Sequence, residues 1–291
     1  MKPSTRQTAL AGEHALVDGI PFGMPVNSLD SPALMAGFTI DAAGAAALLP
    51  GREVTLLRLP RGRALLLVTV ILYRTTDIGS YVEYSIALAC RHKPAGSSAF
   101  RTFLREGASA FGQYVWDLPV STEVSVKGGK GIWGMPKHRA ALDFKVSEQE
   151  MSSQYDLDGK MCMRVTVRRP GGLALPLRNL SATNYCQFRG MLMKSRICFS
   201  DATELAVGPA AHGSLLLGDS PRMDPLRTLD IAATPLFVAC LPHSHGVLDD
   251  HAESWFLTET VAPAASPEGF ESVTGLGRDT SWLPPPTACG R

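Results

Sequence analysis

Apolar and polar positions along this chain divide it into many short strands and two helical stretches. Pro32 to Ile40 reads as a strand, and so does Ala64 to Tyr73, whose continuous apolar run predicts burial on both faces. Val54 to Leu59 precedes that run and connects to it through the turn Pro60-Arg61-Gly62-Arg63. Tyr81 to Cys90 alternates, which predicts a strand with one wet face. A helix is predicted from Asp41 as N-cap through the alanine-rich stretch to Leu49, with Pro50 as its stop. Ser98 to Phe111 reads as the second helix.

Leu142 to Val146, Ser152 to Leu157, Met161 to Val167 and Leu173 to Arg178 form an expected meander. Asp158-Gly159 and Arg169-Pro170-Gly171-Gly172 supply its later turns. Further strands are expected over Gln187 to Phe199, Ala202 to Val207 and Pro235 to Leu241. So many strands with two helices predict a mainly β (α+β) fold: a closed or nearly closed antiparallel sheet, barrel- or sandwich-like, with peripheral helices. Residues 1–22 read as an N-terminal arm, 23–258 as the β domain, and 259–291, rich in Pro, Gly, Ala and Ser, as an extended C-terminal arm.

Composition narrows the classes of partner. Lys and Arg number 28 against 27 Asp and Glu, and the charges are scattered, so no footprint for nucleic acid or an anionic membrane is present. Met1 to His14 lacks the apolar core of an export signal, and the longest apolar run, Ala64 to Leu72, is too short to cross a bilayer. A cytoplasmic protein is expected. The six cysteines form no CxxC pair and are read as reduced core thiols, without disulfides or a zinc site.

The chemistry concentrates in Gly131-Ile132-Trp133-Gly134-Met135-Pro136-Lys137-His138. Proline restricts the backbone just before Lys137, and the neighbours on that side are apolar. A free lysine titrates near ~10.4 and at neutral pH is almost wholly the unreactive ammonium. Burial in an apolar pocket, or a second cation such as His138 or Arg139, can favour the neutral amine. That amine can attack a ketone and form a Schiff base. The same spacing also suits a structural lysine at a strand end. A proton manager is the second requirement, and Glu83, in the aromatic strand Gly79-Ser80-Tyr81-Val82-Glu83-Tyr84, is the candidate. Alternation equally allows Glu83 to face outward.

Taken together, Gly79-Ser80-Tyr81-Val82-Glu83 and Trp133-Gly134-Met135-Pro136-Lys137 resemble the acetoacetate decarboxylase superfamily. The resemblance takes in the Asp41 to Pro50 helix and the spacing of Glu123 and Lys130 before the lysine. It is clear over Pro32 to Val146 and looser in the meander. It implies Lys137 as the Schiff-base lysine, Glu83 as the active-site glutamate, and a β-barrel-like domain that forms homo-oligomers. No cofactor and no metal are expected. Tyr81, Trp133 and Met135 are candidates to line the substrate pocket, or equally to pack the core.

The chain departs from the family pattern at three places. His138 stands where the archetype has a second lysine. By an ungapped count its early-strand arginine corresponds to Ser31, and its second pocket glutamate to Val68. Arg74 and His138 are candidates to replace the missing cation. The family reading therefore implies a lyase acting on a small keto acid, with β-keto acid decarboxylation first. An aldolase, dehydratase or cyclase acting on a 2-oxo acid uses the same lysine, and a ligand-binding barrel without turnover is a third reading. Two weaker signals read as ordinary structure. Lys127-Gly128-Gly129-Lys130-Gly131 is expected to be a flexible hairpin rather than a phosphate loop, and His243-Ser244-His245 with Asp249, Asp250 and His251 a polar loop rather than a metal site.

Overall fold

A computed structural model describes residues 14–92, 112–170, 175–177, 180–200 and 203–258. The segment from 14 opens with a hairpin, β1 (His14–Val17) and β2 (Ile20–Gly23), followed by β3 (Val26–Asp30) and β4 (Ala33–Asp41). Helix α1 (Ala42–Ala46) leads to β5 (Val54–Leu56), β6 (Arg63–Tyr73), β7 (Thr75–Thr76) and β8 (Tyr81–His92). Next come β9 (Gly112–Val120), helix α2 (Glu123–Trp133) and β10 (Lys137–Arg139). Short β11 (Ala141–Leu142) and β12 (Lys145–Val146) precede the hairpin of β13 (Glu150–Leu157) and β14 (Lys160–Arg168). Then follow β15 (Leu175–Leu177), β16 (Leu180–Phe188), β17 (Met191–Ser200), β18 (Thr203–Val207) and β19 (Gly213–Leu217). The four-residue helix α3 (Asp224–Arg227), β20 (Phe237–Leu241), β21 (His245–Leu248) and β22 (Glu253–Phe256) complete the described chain.

The fold is mostly β, but its sheets are open rather than closed into a barrel. The larger sheet runs from β15 through β18, β20, β4, β6, β8, β9, β16, β17, β21 and β3 to β7, with β5, β10 and β22 at its margins. Only Arg74 separates β6 from β7, so the sheet bends back on itself. Two of its pairings, β9 with β10 and β9 with β16, are parallel. A second sheet of β11, β13, β14 and β19, with β12 beside β13, stands apart. The expected meander is therefore split. Asp158-Gly159 does turn β13 into β14, with the positive φ at both residues that such hairpins need. The next segment, β15, instead joins β18 in the larger sheet, and β19 takes the place beside β14.

The second sheet also explains why β8 has no wet face. Val82, Tyr84, Ile86 and Leu88 on one side of β8 pack with Leu66, Val68 and Val70 of β6 against Met151, Tyr155, Met163 and Val165. Alternation along β8 separates two buried faces rather than core from water. A further correction concerns Gln187 to Phe199, where Arg189-Gly190 turns β16 back into β17 with positive φ at both residues. An arginine at that position gave no turn signal. The helix expected over Ser98 to Phe111 and the arm at 259–291 lie outside the described residues. The Asp41 cap does form, its carboxylate accepting from the Gly44 amide at 2.6 Å.

A buried polar cluster crosses the interface between the sheets. The ladder slips where β8 meets β9: Ile86 pairs with Asp117 but the adjacent Ala87 with Val115, leaving Trp116 as an extra residue. This bulge turns Asp117 away from the face shared by Gln113 and Val115. Arg222 grips Asp117 with two hydrogen bonds of 2.7 and 2.9 Å. The Tyr155 hydroxyl reaches Asp117 at 3.4 Å and a ring nitrogen of His138 at 3.0 Å.

Two consequences can be measured. Asp117→Asn leaves Arg222 partly buried without its counter-charge and is expected to cost about 3 kcal/mol in urea denaturation. His138 sits lower than its usual value near 6.5. Burial is the main cause, opposed by Asp117 and reinforced by Arg222 and Lys130. The folded chain thus binds that proton more weakly than the unfolded chain. The contribution is fully present above about 6.5 and is lost as pH falls below it. His138→Gln should flatten the stability slope below pH ~6.5, whereas an unchanged slope would remove His138 as its source.

Candidate functional site

The site begins with helix α2, which local propensity opposes. Gly128, Gly129 and Gly131 each disfavour a helix interior by about 1 kcal/mol relative to alanine, which is why this stretch reads as a hairpin in sequence. Packing compensates. A Cβ on Gly128 would meet Phe22, and one on Gly131 would meet Val17, so the first hairpin closes directly onto the helix. A Cβ on Gly129 would collide with the side-chain methylenes of Lys137. Gly134, with positive φ, caps the helix, and Met135 and Pro136 then carry the chain into β10.

β10 pairs in parallel with β9, Lys137 opposite Leu118 and His138 opposite Pro119. Successive residues of a strand point to opposite faces. Lys137 therefore enters the face of the larger sheet away from the second sheet, while His138 joins Asp117 on the other. On β8, Glu83 is opposite both Ile71 of β6 and Val120 of β9, and faces the same way as Lys137. The Lys137 amine lies 2.7 Å from Glu83 Oε2, with the two side chains only 2% and 12% exposed. It also donates to Ser125 Oγ at 3.0 Å and stands 5.6 Å from the centre of the Tyr81 ring.

Two tyrosines and a cysteine complete the surroundings. Tyr73 stacks on Tyr81 with ring centres 4.5 Å apart. Burial raises both phenols well above their usual value, and the nearby Glu83 charge adds to it, so both stay protonated donors. Cys186 is pushed up to about 12, first by burial; the Lys137 charge opposes this and the Glu83 charge assists. It is a packing thiol beside the pair rather than a nucleophile.

The other candidate residues divide. Trp133 and Met135 are buried with Phe22, Val115, Leu118 and Cys186, behind the lysine, and the Trp133 indole donates to the Asp249 carbonyl at 2.7 Å. They hold the segment that carries Lys137. His138 is one residue from the amine in sequence and on the opposite face in space. Arg74 forms an exposed ion pair with Asp30 at 3.4 Å. Val68 lies in the core between the sheets, and the β6 residue opposite Glu83 is Ile71. Ser31 is buried in contact with Ser28 and Ser244. Glu123 is exposed in the first turn of α2 and Lys130 is buried in its last. Among the described residues no group of three His, Cys, Asp or Glu is placed to hold a metal, and no helix is long and apolar enough to cross a membrane.

Sequence reasoning missed Ser125, Tyr73 and the partners of Asp117. Ser125 could be found only once α2 is recognised as a helix. Tyr73 has a fainter signal: it ends the apolar run and falls opposite Tyr81 when β6 and β8 are paired.

Solved structures share this fold. An acetoacetate decarboxylase from Legionella pneumophila is 14% identical, with a TM-score of 0.57 over 88% of this chain and 99% of that one. An acetoacetate decarboxylase-like enzyme from Sphingomonas wittichii RW1 is 16% identical, with a TM-score of 0.51 over 81% and 96%. The enduracididine biosynthesis enzyme MppR, complexed with pyruvate, is 13% identical, with a TM-score of 0.54 over 83% and 93%. Among curated protein sequences, none matches this one. At these identities the structural likeness concerns the fold alone. The sequence carries the assignment: residues 9–189, well over half of the chain, match the model for acetoacetate decarboxylase, and the chain belongs to the acetoacetate decarboxylase family.

Proposed function

We propose that this protein is a Schiff-base lyase that acts on a keto acid, with Lys137 as the nucleophile and Glu83 as its proton partner. One observation carries the reading: the amine of a lysine side chain only 2% exposed is held 2.7 Å from a single carboxylate, with Ser125 and aromatic and apolar side chains around the pair. Glu83 takes a proton from the ammonium, and the freed amine adds to the substrate ketone. The carbinolamine loses water, with Glu83 returning the proton to the departing hydroxyl, and a protonated imine remains. In a β-keto acid the bond to the carboxylate then breaks. Its electron pair moves to the imine nitrogen, carbon dioxide leaves, and an enamine is formed. Protonation at carbon followed by addition of water releases the ketone and restores the amine.

Decarboxylation is favoured by the walls of the site. The reacting carboxylate loses its charge as carbon dioxide forms, and an apolar environment raises the ground state more than the transition state. Ser125, Tyr73 and Tyr81 supply neutral hydrogen-bond donors there, and Arg74 and His138 are engaged elsewhere. The second reading is an aldolase or dehydratase on a 2-oxo acid, in which the enamine forms by loss of an α-proton. The pyruvate complex of MppR, a protein of similar fold, supports keeping it.

Borohydride reduction with β-keto and 2-oxo acids, followed by intact-mass analysis, tests both. A Lys137-dependent adduct lighter by carbon dioxide supports the decarboxylase, and one that keeps its carboxylate supports the second reading. Lys137→Ala should abolish trapping while circular dichroism stays native; an adduct that persists would move the nucleophile elsewhere. Glu83→Gln should still trap the acid but turn over about 10²- to 10⁴-fold more slowly. Full turnover in that variant would leave Glu83 a structural partner of the lysine.

A further inference from the structure

An apolar cavity of about 320 Å³ opens on the same side of the larger sheet as Lys137 and Glu83. Met35, Leu65, Leu67, Thr69, Phe199 and Leu241 form much of its wall. Its relation to the amine follows from strand register. Along β6, Leu65, Leu67, Thr69 and Ile71 face one way; Leu67 is opposite Ala87, Thr69 opposite Ser85 and Ile71 opposite Glu83. The cavity wall thus begins one inward-facing residue beyond the position opposite Glu83. It continues to Leu65, and the six steps of strand from Ile71 to Leu65 span ~20 Å. Ala33, Phe199 and Leu241 belong both to this wall and to the apolar cluster around Tyr73 and Tyr81. Three wall residues of the cavity therefore pack in the same cluster as the two tyrosines beside the amine.

The chemistry of the wall limits what can enter. Among the described residues no ionisable side chain lines it. Its amide group, Gln113, is already engaged with Asn184 at 2.7 Å. The Thr69 hydroxyl lacks a hydrogen-bond partner, so it can still meet one uncharged oxygen. A carboxylate, phosphate or ammonium placed deep in this space would lose its hydration without a counter-charge. The volume falls within the range of cavities that hold small molecules, and a four-carbon keto acid bound at Lys137 would leave it unfilled.

We infer that the substrate carries an uncharged apolar chain on the far side of its ketone, and that this chain occupies the cavity along β6 while the carboxylate stays beside Lys137. The inference rests on the Schiff-base reading above and adds the substrate class to it. Leu67 and Leu65 set the reach of the chain, and Ala89, at the far end of the wall, sets its limit.

Methyl ketones from 2-butanone to 2-nonanone provide the test, because binding can be followed by calorimetry whether or not an imine forms. Each added methylene that enters the cavity should tighten binding about four-fold in the wild type. Leu67→Trp should stop that gain near its start, and Ala89→Leu should stop it only for the longest ketones. The proposal is overturned if affinity in the wild type is independent of chain length, or if Leu67→Trp keeps the full gain. The wild-type series decides the matter even if a variant fails to fold. Borohydride reduction of the same mixtures separates the two readings. Chain-length dependence without a Lys137 adduct upholds the cavity and removes the Schiff base, while an adduct without chain-length dependence does the reverse.

Discussion

A lysine ammonium and a glutamate carboxylate taken out of water together each forfeit several kcal/mol of hydration. Only close contact and supporting hydrogen bonds make such a pair tolerable. In this protein the contact is Lys137 to Glu83, and much of the surrounding architecture serves to hold it. Glu83 is carried by the central strand β8, hydrogen-bonded on both sides. Lys137 comes from a three-residue strand that would have no fixed position without its pairing to β9 and the glycine-lined helix above it. The first hairpin reaches that helix from outside, through Phe22 and Val17. Contacts far apart in sequence thus converge on one nitrogen atom.

The bulge at Trp116 is what allows β9 to serve two neighbourhoods. Before it, Gln113 and Val115 face the cavity side; after it, Leu118 and Val120 do, while Asp117 faces the second sheet. Without an extra residue, strict alternation would place Asp117 on the same side as Val115, among apolar neighbours and far from Arg222. The bulge separates a cluster that contributes to stability from a pair suited to chemistry. Both sit within one stretch of strand.

Much of this was legible in the sequence, for identifiable reasons. The apolar run of β6, the Asp41 cap and the Asp158-Gly159 turn are local signals, and local physics decides them. Lys137 and Glu83 stood out because an ionisable residue in an apolar, aromatic segment needs a partner. What escaped was decided by contacts distant along the chain. Three glycines argue against α2 until Phe22, Val17 and the Lys137 stem are seen to require them. The dry second face of β8 depends on β13 and β14, and the bond from Arg222 to Asp117 joins residues 105 positions apart. Val68, which an ungapped count sets at the second pocket glutamate, turns to the second sheet, and the face a strand residue takes is fixed only by its register.

Lys137 and His138 are consecutive residues that look into separate compartments, divided by a single layer of backbone. Under the proposed function, substitutions on the cavity side alter which molecule is accepted while the Asp117 cluster keeps its hold on β10 through His138. Such a partition would let a lineage exchange substrates without first acquiring a sturdier scaffold, because innovation and robustness are lodged on opposite sides of the same strand.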